Sequence, residues 1–272
     1  MFSVRRLFLK LSFKLYPFSP TSENQKSIGE IVILHGLFGS SKNWVTVAKA
    51  LSEFGSVYTL DQRNHGDSPH ANEHSIKLMS EDLEEFLSDH QIQNPILLGH
   101  SMGGLVAMYF DFTHQGVLKT LIVQDIAPRS YPFVYEKEIA SMSFPLGGFS
   151  SRTDIDTEMA KYLPDTFIRQ FLQMSLERLD SGEYRWKLNV SGLNQARRVF
   201  DHPFPEVIHS DTRVLFIVGG ASEYITKDDL ILIEKFFTNV KIKTIPFGGH
   251  YIHFTHQKEY LEILNKEVLL NS

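Results

Sequence analysis

The sequence predicts an α/β fold in which a mostly parallel central sheet is flanked by helices. Three observations carry this. Short, largely apolar runs at residues 30–34 (EIVIL), 96–98 (ILL) and 214–218 (VLFIV) have the composition of strands buried on both faces. Amphipathic stretches of helical period stand between such runs, the alternation that builds parallel sheets. The chain has 272 residues, which fits one such core with an insertion, because α/β domains of roughly 200–250 residues stand alone.

The first 22 residues carry Arg5, Arg6, Lys10 and Lys14 and no acid, a charge of +4 that leaves −9 on the remainder. Lys10 and Lys14 interrupt the apolar residues here, so this segment lacks the unbroken run of a cleaved secretory signal. Leu9, Leu11, Phe13 and Leu15 alternate with Lys10, Ser12, Lys14 and Tyr16, which predicts a half-buried strand ended by Pro17 and Pro20. The competing reading, a weak peripheral membrane contact through the basic N-terminus, is disfavoured by a period of 2 rather than 3.6. Strand 30–34 is followed by a helix over 44–54 and a strand over 57–60 (VYTL). Ile76, Met79, Leu83, Phe86 and Leu87 then recur at helical spacing before Pro95 and strand 96–98. A helix over 102–112 and a strand over 118–123 complete the first half.

After Pro128 the rhythm breaks. No buried strand is expected between Arg129 and His209; Leu163, Phe167, Phe171 and Met174 mark a helix, and residues 144–149 (FPLGGF) read as an apolar loop. Residues 129–209 are therefore read as an inserted helical lid on a core of residues 1–128 and 210–272. The core resumes with strand 214–218, a helix over 227–237, a strand over 240–245 and a closing helix over 258–270.

Composition narrows the function. With 42% hydrophobic, 22% charged and 12% aromatic residues the chain can build a sizeable core, which excludes general disorder. A net charge of −5 gives no overall attraction to nucleic acid or anionic membranes. No apolar run is long enough for a transmembrane segment, and the expected location is the cytoplasm. The absence of cysteine removes disulfides, thiolate zinc sites, iron–sulfur clusters and thiol nucleophiles together. Any covalent catalysis needs another nucleophile.

That nucleophile is Ser101, in Gly99-His100-Ser101-Met102-Gly103-Gly104. The motif matches G-x-S-x-G between a strand and a helix, the setting of a nucleophile elbow. Its glycines have a physical reason, since the turn strains the serine backbone and side chains at 99 and 103 would collide with neighbouring elements. The bland alternative is a helix merely capped by Ser101. A serine hydroxyl needs a histidine to take its proton and an acid to orient that histidine, in chain order Ser, acid, His for such a fold. His250 follows strand 240–245 and precedes the last helix, which places it at the sheet edge of the elbow. His253 and His256 repeat at spacing three, but with no acidic partner close by a metal site is not expected. Two acids compete: Asp125, which ends the run LIVQD, and Glu223, beyond Ser222 where an Asp would be expected. The oxyanion of acyl transfer needs preorganised donors, for which the Met102 amide and the Leu37 amide are the candidates, with Phe38 next. His35 and the turn Arg63-Asn64-His65-Gly66 are read as structural, although Arg63 could reach a substrate phosphate. Trp186, Phe144, Phe149, Phe167 and Phe171 are candidates for an acyl pocket, with ordinary core packing as the alternative.

HGLFGS at 35–40, DQRNHGDSP at 61–69, GHSMGG at 99–104, DIAP at 125–128, GGASEYI at 219–225 and GGHYIH at 248–253 together resemble the α/β-hydrolase superfamily, and within it the YbfF-like bacterial esterases and related mitochondrial abhydrolase-domain proteins. The resemblance runs from about Leu9 to about Leu270. It implies an α/β-hydrolase fold, hydrolysis of carboxylic esters or acyl thioesters with no cofactor, and Asp125 rather than Glu223 as the acid, because bacterial members take it from the DIAP-type segment. The family more often has Asn-Ser where this chain has Ala221-Ser222. The alternatives are a C–C bond hydrolase or lyase using the same three residues, and a small-ligand receptor that keeps the pocket without the chemistry.

Overall fold

The computed structural model describes residues 9–205 and 208–269. Arg5, Arg6 and Leu270 lie outside them. The chain opens with strand β1 (Phe13–Tyr16) and strand β2 (Glu30–Leu34), then a short 3-10 turn (Ser41–Trp44) leading into helix α1 (Val45–Leu51). Strand β3 (Ser56–Leu60), helix α2 (Ile76–Asp89), strand β4 (Ile96–His100), helix α3 (Met102–Thr113) and strand β5 (Thr120–Gln124) follow. The intervening segment holds α4 (Glu136–Met142), α5 (Arg152–Met159), α6 (Thr166–Gln173), the strands β6 (Leu176–Arg178) and β7 (Tyr184–Trp186), and α7 (Val190–Gln195). Strand β8 (Val214–Gly219), α8 (Lys227–Phe236), β9 (Val240–Ile245), α9 (Ile252–Thr255) and α10 (Gln257–Leu264) complete it, with a π turn over Asn265–Leu269.

Among the described residues, seven strands form one sheet in the order β1-β3-β2-β4-β5-β8-β9, all parallel except β1, which pairs antiparallel to β3. Strand alternation sends successive side chains to opposite faces. Val32 and Leu34 accordingly join Leu83, Leu105 and Ile233 from α2, α3 and α8, whereas Ile31 and Ile33 join Val47, Leu51 and Tyr260 from α1 and α10. Two cores thus cover the two faces, which is why the central strands read as continuous apolar runs.

The structure departs from the sequence reading in four places. β1 begins only at Phe13, and Leu15, expected on the covered face, is 45% exposed. As an edge strand it has one neighbour, and Phe13 takes the covered position against Phe86 and His90. The helix expected over 44–54 is shortened at both ends, by the 3-10 turn before it and by turn bonds from Phe54 to Leu51 after it. The closing helix is broken into α9, α10 and the π turn. Residues between β5 and β8 are not purely helical, since β6 and β7 form an antiparallel hairpin with Leu176 opposite Trp186 and Gly182 at φ +88° in its turn.

Candidate active site

In β4 and β5 the last residues, His100 and Gln124, stand opposite each other. The chain leaves both strands at the same level, and the next residues, Ser101 and Asp125, both adopt positive φ, 52° and 53°. The Ser101 amide donates to the Gln124 carbonyl at 3.1 Å, and the Asp125 amide donates to the Ile217 carbonyl of β8 at 3.0 Å, so ladder bonds tie the two residues together and to β8. A β-carbon on Gly99 would stand 2.2 Å from the Gly103 carbonyl oxygen, and one on Gly103 would stand 2.5 Å from that of Leu34. Nothing larger than glycine fits at either place. Ser101 occupies the N-cap of α3, yet its side chain makes no cap bond. The hydroxyl is therefore not spent on the helix, which removes the bland reading of the motif.

Asp125 is fully buried and both oxygens of its carboxylate are bonded. Oδ1 accepts the Gly219 amide at 2.9 Å; Oδ2 accepts the Ser222 hydroxyl at 2.5 Å and His250 Nδ1–H at 2.7 Å. Ser222, at the position where an acid was expected, holds the acid of the neighbouring strand. Glu223 is exposed and makes no bond to these residues. With Nδ1 held by Asp125, the free ring nitrogen of His250 is Nε2. The ring is sandwiched further by Tyr224, stacked at 3.7 Å between centroids and 15° between planes. The His250 carbonyl accepts from His100 Nε2 at 3.0 Å and from Gln124 Nε2 at 3.3 Å. Burial, reinforced by the neighbouring His250 and His253, holds His100 well below its ordinary pKa, so it is neutral and can donate through Nε2.

The loop after β2 packs on the elbow, with Gly36 so close to His100 that a β-carbon would lie 2.9 Å from its Nδ1. Among the described residues the amides of Leu37 and Met102 have no bonded acceptor, whereas the Phe38 amide donates to His65 Nε2 at 3.2 Å. Phe38, the second choice for that amide, is thereby occupied. His65 in turn donates Nδ1–H to the Arg63 carbonyl at 2.8 Å. His35 donates Nδ1–H to the Gly36 carbonyl at 2.8 Å and accepts the Gln62 amide at 3.0 Å. Both histidines brace loops. Arg63 is bound through two nitrogens to Asp82 at 2.6 and 2.7 Å and is buried, out of reach of a ligand. His253 is stacked on Trp44 at 4.3 Å and bonded to Gln124, and His256 meets Thr255, so the two do not converge with His250 on an ion.

Ser101 and His250 open onto one narrow cleft of about 30 Å³, room for a water or two. The intervening segment supplies its roof, with Tyr135 at the N-cap of α4, Glu138 of α4 and Phe171 of α6. The Tyr135 and Tyr224 hydroxyls are bonded at 2.9 Å, which couples this roof to the ring lying on His250. Of the aromatic residues singled out in the sequence, Phe171 borders the cleft and Phe167 packs on Tyr251 at 5.4 Å. Phe144 and Phe149 pack on each other, and both, like Trp186, lie partly buried against the core.

A sequence profile of the alpha/beta hydrolase family matches residues 31–263. The chain belongs to that family. Among its relatives is the mouse (Mus musculus) sn-1-specific diacylglycerol lipase ABHD11, 30% identical over 250 residues that cover 88% of this chain and 81% of the relative. Esterase YbfF of Escherichia coli is 31% identical over 242 residues, 86% of this chain and 90% of that protein. The solved structure of a marine microorganism esterase superposes with a TM-score of 0.86 at 34% identity, covering 95% of this chain and 99% of that one. The α/β-hydrolase fold expected from the motifs is thus the fold of this chain.

Sequence reasoning missed the supports of this site: Tyr224 on the histidine, Ser222 on the acid, and His100 with Gln124 on the histidine carbonyl. Tyr224, Ser222 and His100 all lie inside motifs already singled out, but Tyr224 and His100 were given no role there and Ser222 was noted only as the place where an Asp would be expected. Gln124 could have been found as the one polar residue in the otherwise apolar LIVQ of β5.

Proposed function

We propose that this alpha/beta hydrolase is a serine carboxylesterase that cleaves carboxylic esters or acyl thioesters through an acyl-enzyme. Ser101 Oγ attacks the carbonyl carbon while His250 Nε2 takes the hydroxyl proton, and a tetrahedral oxyanion forms facing the Leu37 and Met102 amides. Collapse breaks the bond to the leaving oxygen or sulfur, which receives the proton from His250. Water then adds to the acyl carbon, again losing its proton to His250, and the acid departs as Ser101 is regenerated. Asp125 keeps Nδ1 protonated and stabilises the imidazolium. Residues 129–209 act as a lid that shields this chemistry from bulk water.

The observation that carries the reading is the shared exit of Ser101 and Asp125 from β4 and β5 with His250 Nδ1 bonded to Asp125 at 2.7 Å. The ester-cleaving names of the relatives agree with it, and acylglycerols belong in the substrate panel on the strength of the lipase among them. A fluorophosphonate probe tests it: labelling and ester hydrolysis should both vanish in Ser101→Ala, where loss of the nucleophile costs on the order of 10⁶ in turnover. Labelling that persists in that variant would overturn the assignment.

A further inference from the structure

The cleft at Ser101 is too small for more than the reacting group, with about 30 Å³ against the 300 Å³ or more that organic ligands usually require. A second space lies beside it. Between α1, α6 and α9 runs a trough of about 410 Å³ whose wall includes Phe167, Phe171, Met174, Val45 and Phe254. Phe171 and Tyr251 belong to both walls, and their rings, 5.0 Å apart, are the partition between the two spaces. Phe254 is 65% exposed and Met174 38% exposed along the trough, so apolar surface is left uncovered beside a reactive serine.

Resting on the hydrolase reading above, we propose that this trough binds the acyl chain of the substrate, which enters past Phe171 and Tyr251 with its carbonyl at Ser101. The chemistry of the wall fits a neutral alkyl chain. Among the described residues no carboxylate lines it and its one charged side chain is Lys42; its other polar members, Asn43, Thr46, Gln170, Tyr251 and Gln257, are uncharged, and His253 is stacked on Trp44 and buried. Phe167, Phe171 and Met174 recur at helical spacing and present one apolar stripe along α6 and its end. Thioether and phenyl groups adapt to a flexible chain without fixed polar demands. Apolar pockets discriminate chain length in modest steps, so the result is selectivity for medium or long acyl groups.

The test fills the trough from its exposed rim. Thr46→Trp and Gln170→Trp change exposed residues that line the trough and not the cleft. Each variant and Phe254→Ala is assayed with p-nitrophenyl esters from acetate to dodecanoate and with acetate esters of long alcohols, alongside fluorophosphonate labelling and a melting curve. The expected result is a fall of about tenfold or more in kcat/KM for octanoate and dodecanoate, mainly through KM, with acetate changed by less than about twofold. An equal change at every length, or none, overturns the trough assignment while intact labelling leaves the hydrolase reading standing. Loss confined to the long-alcohol acetates assigns the trough to the leaving group and likewise overturns the proposal. Absence of labelling and of hydrolysis in the unmodified protein sinks both.

Discussion

His100 donates its Nε2 hydrogen to the main-chain carbonyl of His250 at 3.0 Å, so the residue before Ser101 holds the backbone of the proposed base. Gln124 shares that carbonyl at 3.3 Å. Removing the His100 donor should let the His250 loop drift by a fraction of an ångström. His100→Ala is expected to lower kcat on the order of 10²-fold at nearly constant KM, because small misplacements of catalytic groups cost about that much. Steady-state kinetics beside a melting curve decide it, and an unchanged kcat in a folded variant would remove the positioning role.

Asp125→Asn is expected to keep the fold and lower turnover by about 10⁴, since an amide cannot stabilise the imidazolium and can hold the wrong tautomer. Glu223→Gln, at an exposed position without a bond to the site, should stay within about threefold of the parent. The reverse ranking at matched thermal stability would exchange the two acids.

The close approach at Gly103 predicts a stability effect separable from chemistry. An added β-carbon would meet the Leu34 and His35 carbonyl oxygens at 2.5 and 2.6 Å, both backbone atoms that cannot swing aside. Gly103→Ala should therefore destabilise by about 1–3 kcal/mol or more, lowering the melting temperature by several degrees. Gly147→Ala, where nothing lies within 4 Å, is the control and should be close to neutral.

Buried neutral histidines should make the protein acid-sensitive. Burial pulls His35 down to about 4, and His65 and His74 also lie well below their ordinary value. The unfolded chain, with histidine near 6.5, then binds more protons than the native state between about pH 6.5 and 4, and stability must fall as pH drops through that window. His35 alone accounts for on the order of 3 kcal/mol across it. Denaturant titrations at pH 7, 6 and 5 should show the decline, and His35→Asn should make it shallower by about one proton. A flat profile would mean that these rings are already charged in the fold.

The central strands were legible because burial on both faces leaves continuous apolar runs, and β9 appears over residues 240–245 as read. Ser101 and His250 stood out because glycines mark their turns, Gly99 and Gly103 around the serine and Gly248-Gly249 before the histidine. The hairpin β6–β7 was not: three residues per strand are too few to show a period, although Asp180-Ser181-Gly182 is a turn signal. Asp125 could not be separated from Glu223 by residues alone, since the choice depends on which strand end lies beside β4, a fact of topology rather than of local pattern. Tyr224 escaped for the same reason, its contact with His250 spanning separate loops.

The pairing of His100 with Gln124 also fixes how the site can fail. A slip of one residue between β4 and β5 would displace Ser101 from Asp125 by about 3.3 Å and turn one of them to the opposite face of the sheet. Ser101 and Asp125 are thus calibrated by the same ladder that carries the two cores, while among the described residues the segment above them contributes walls but no rung of it. Hydrolysis of a short ester therefore serves as a reporter of strand alignment in the central sheet: it should survive loosening of the roof and disappear with the sheet itself.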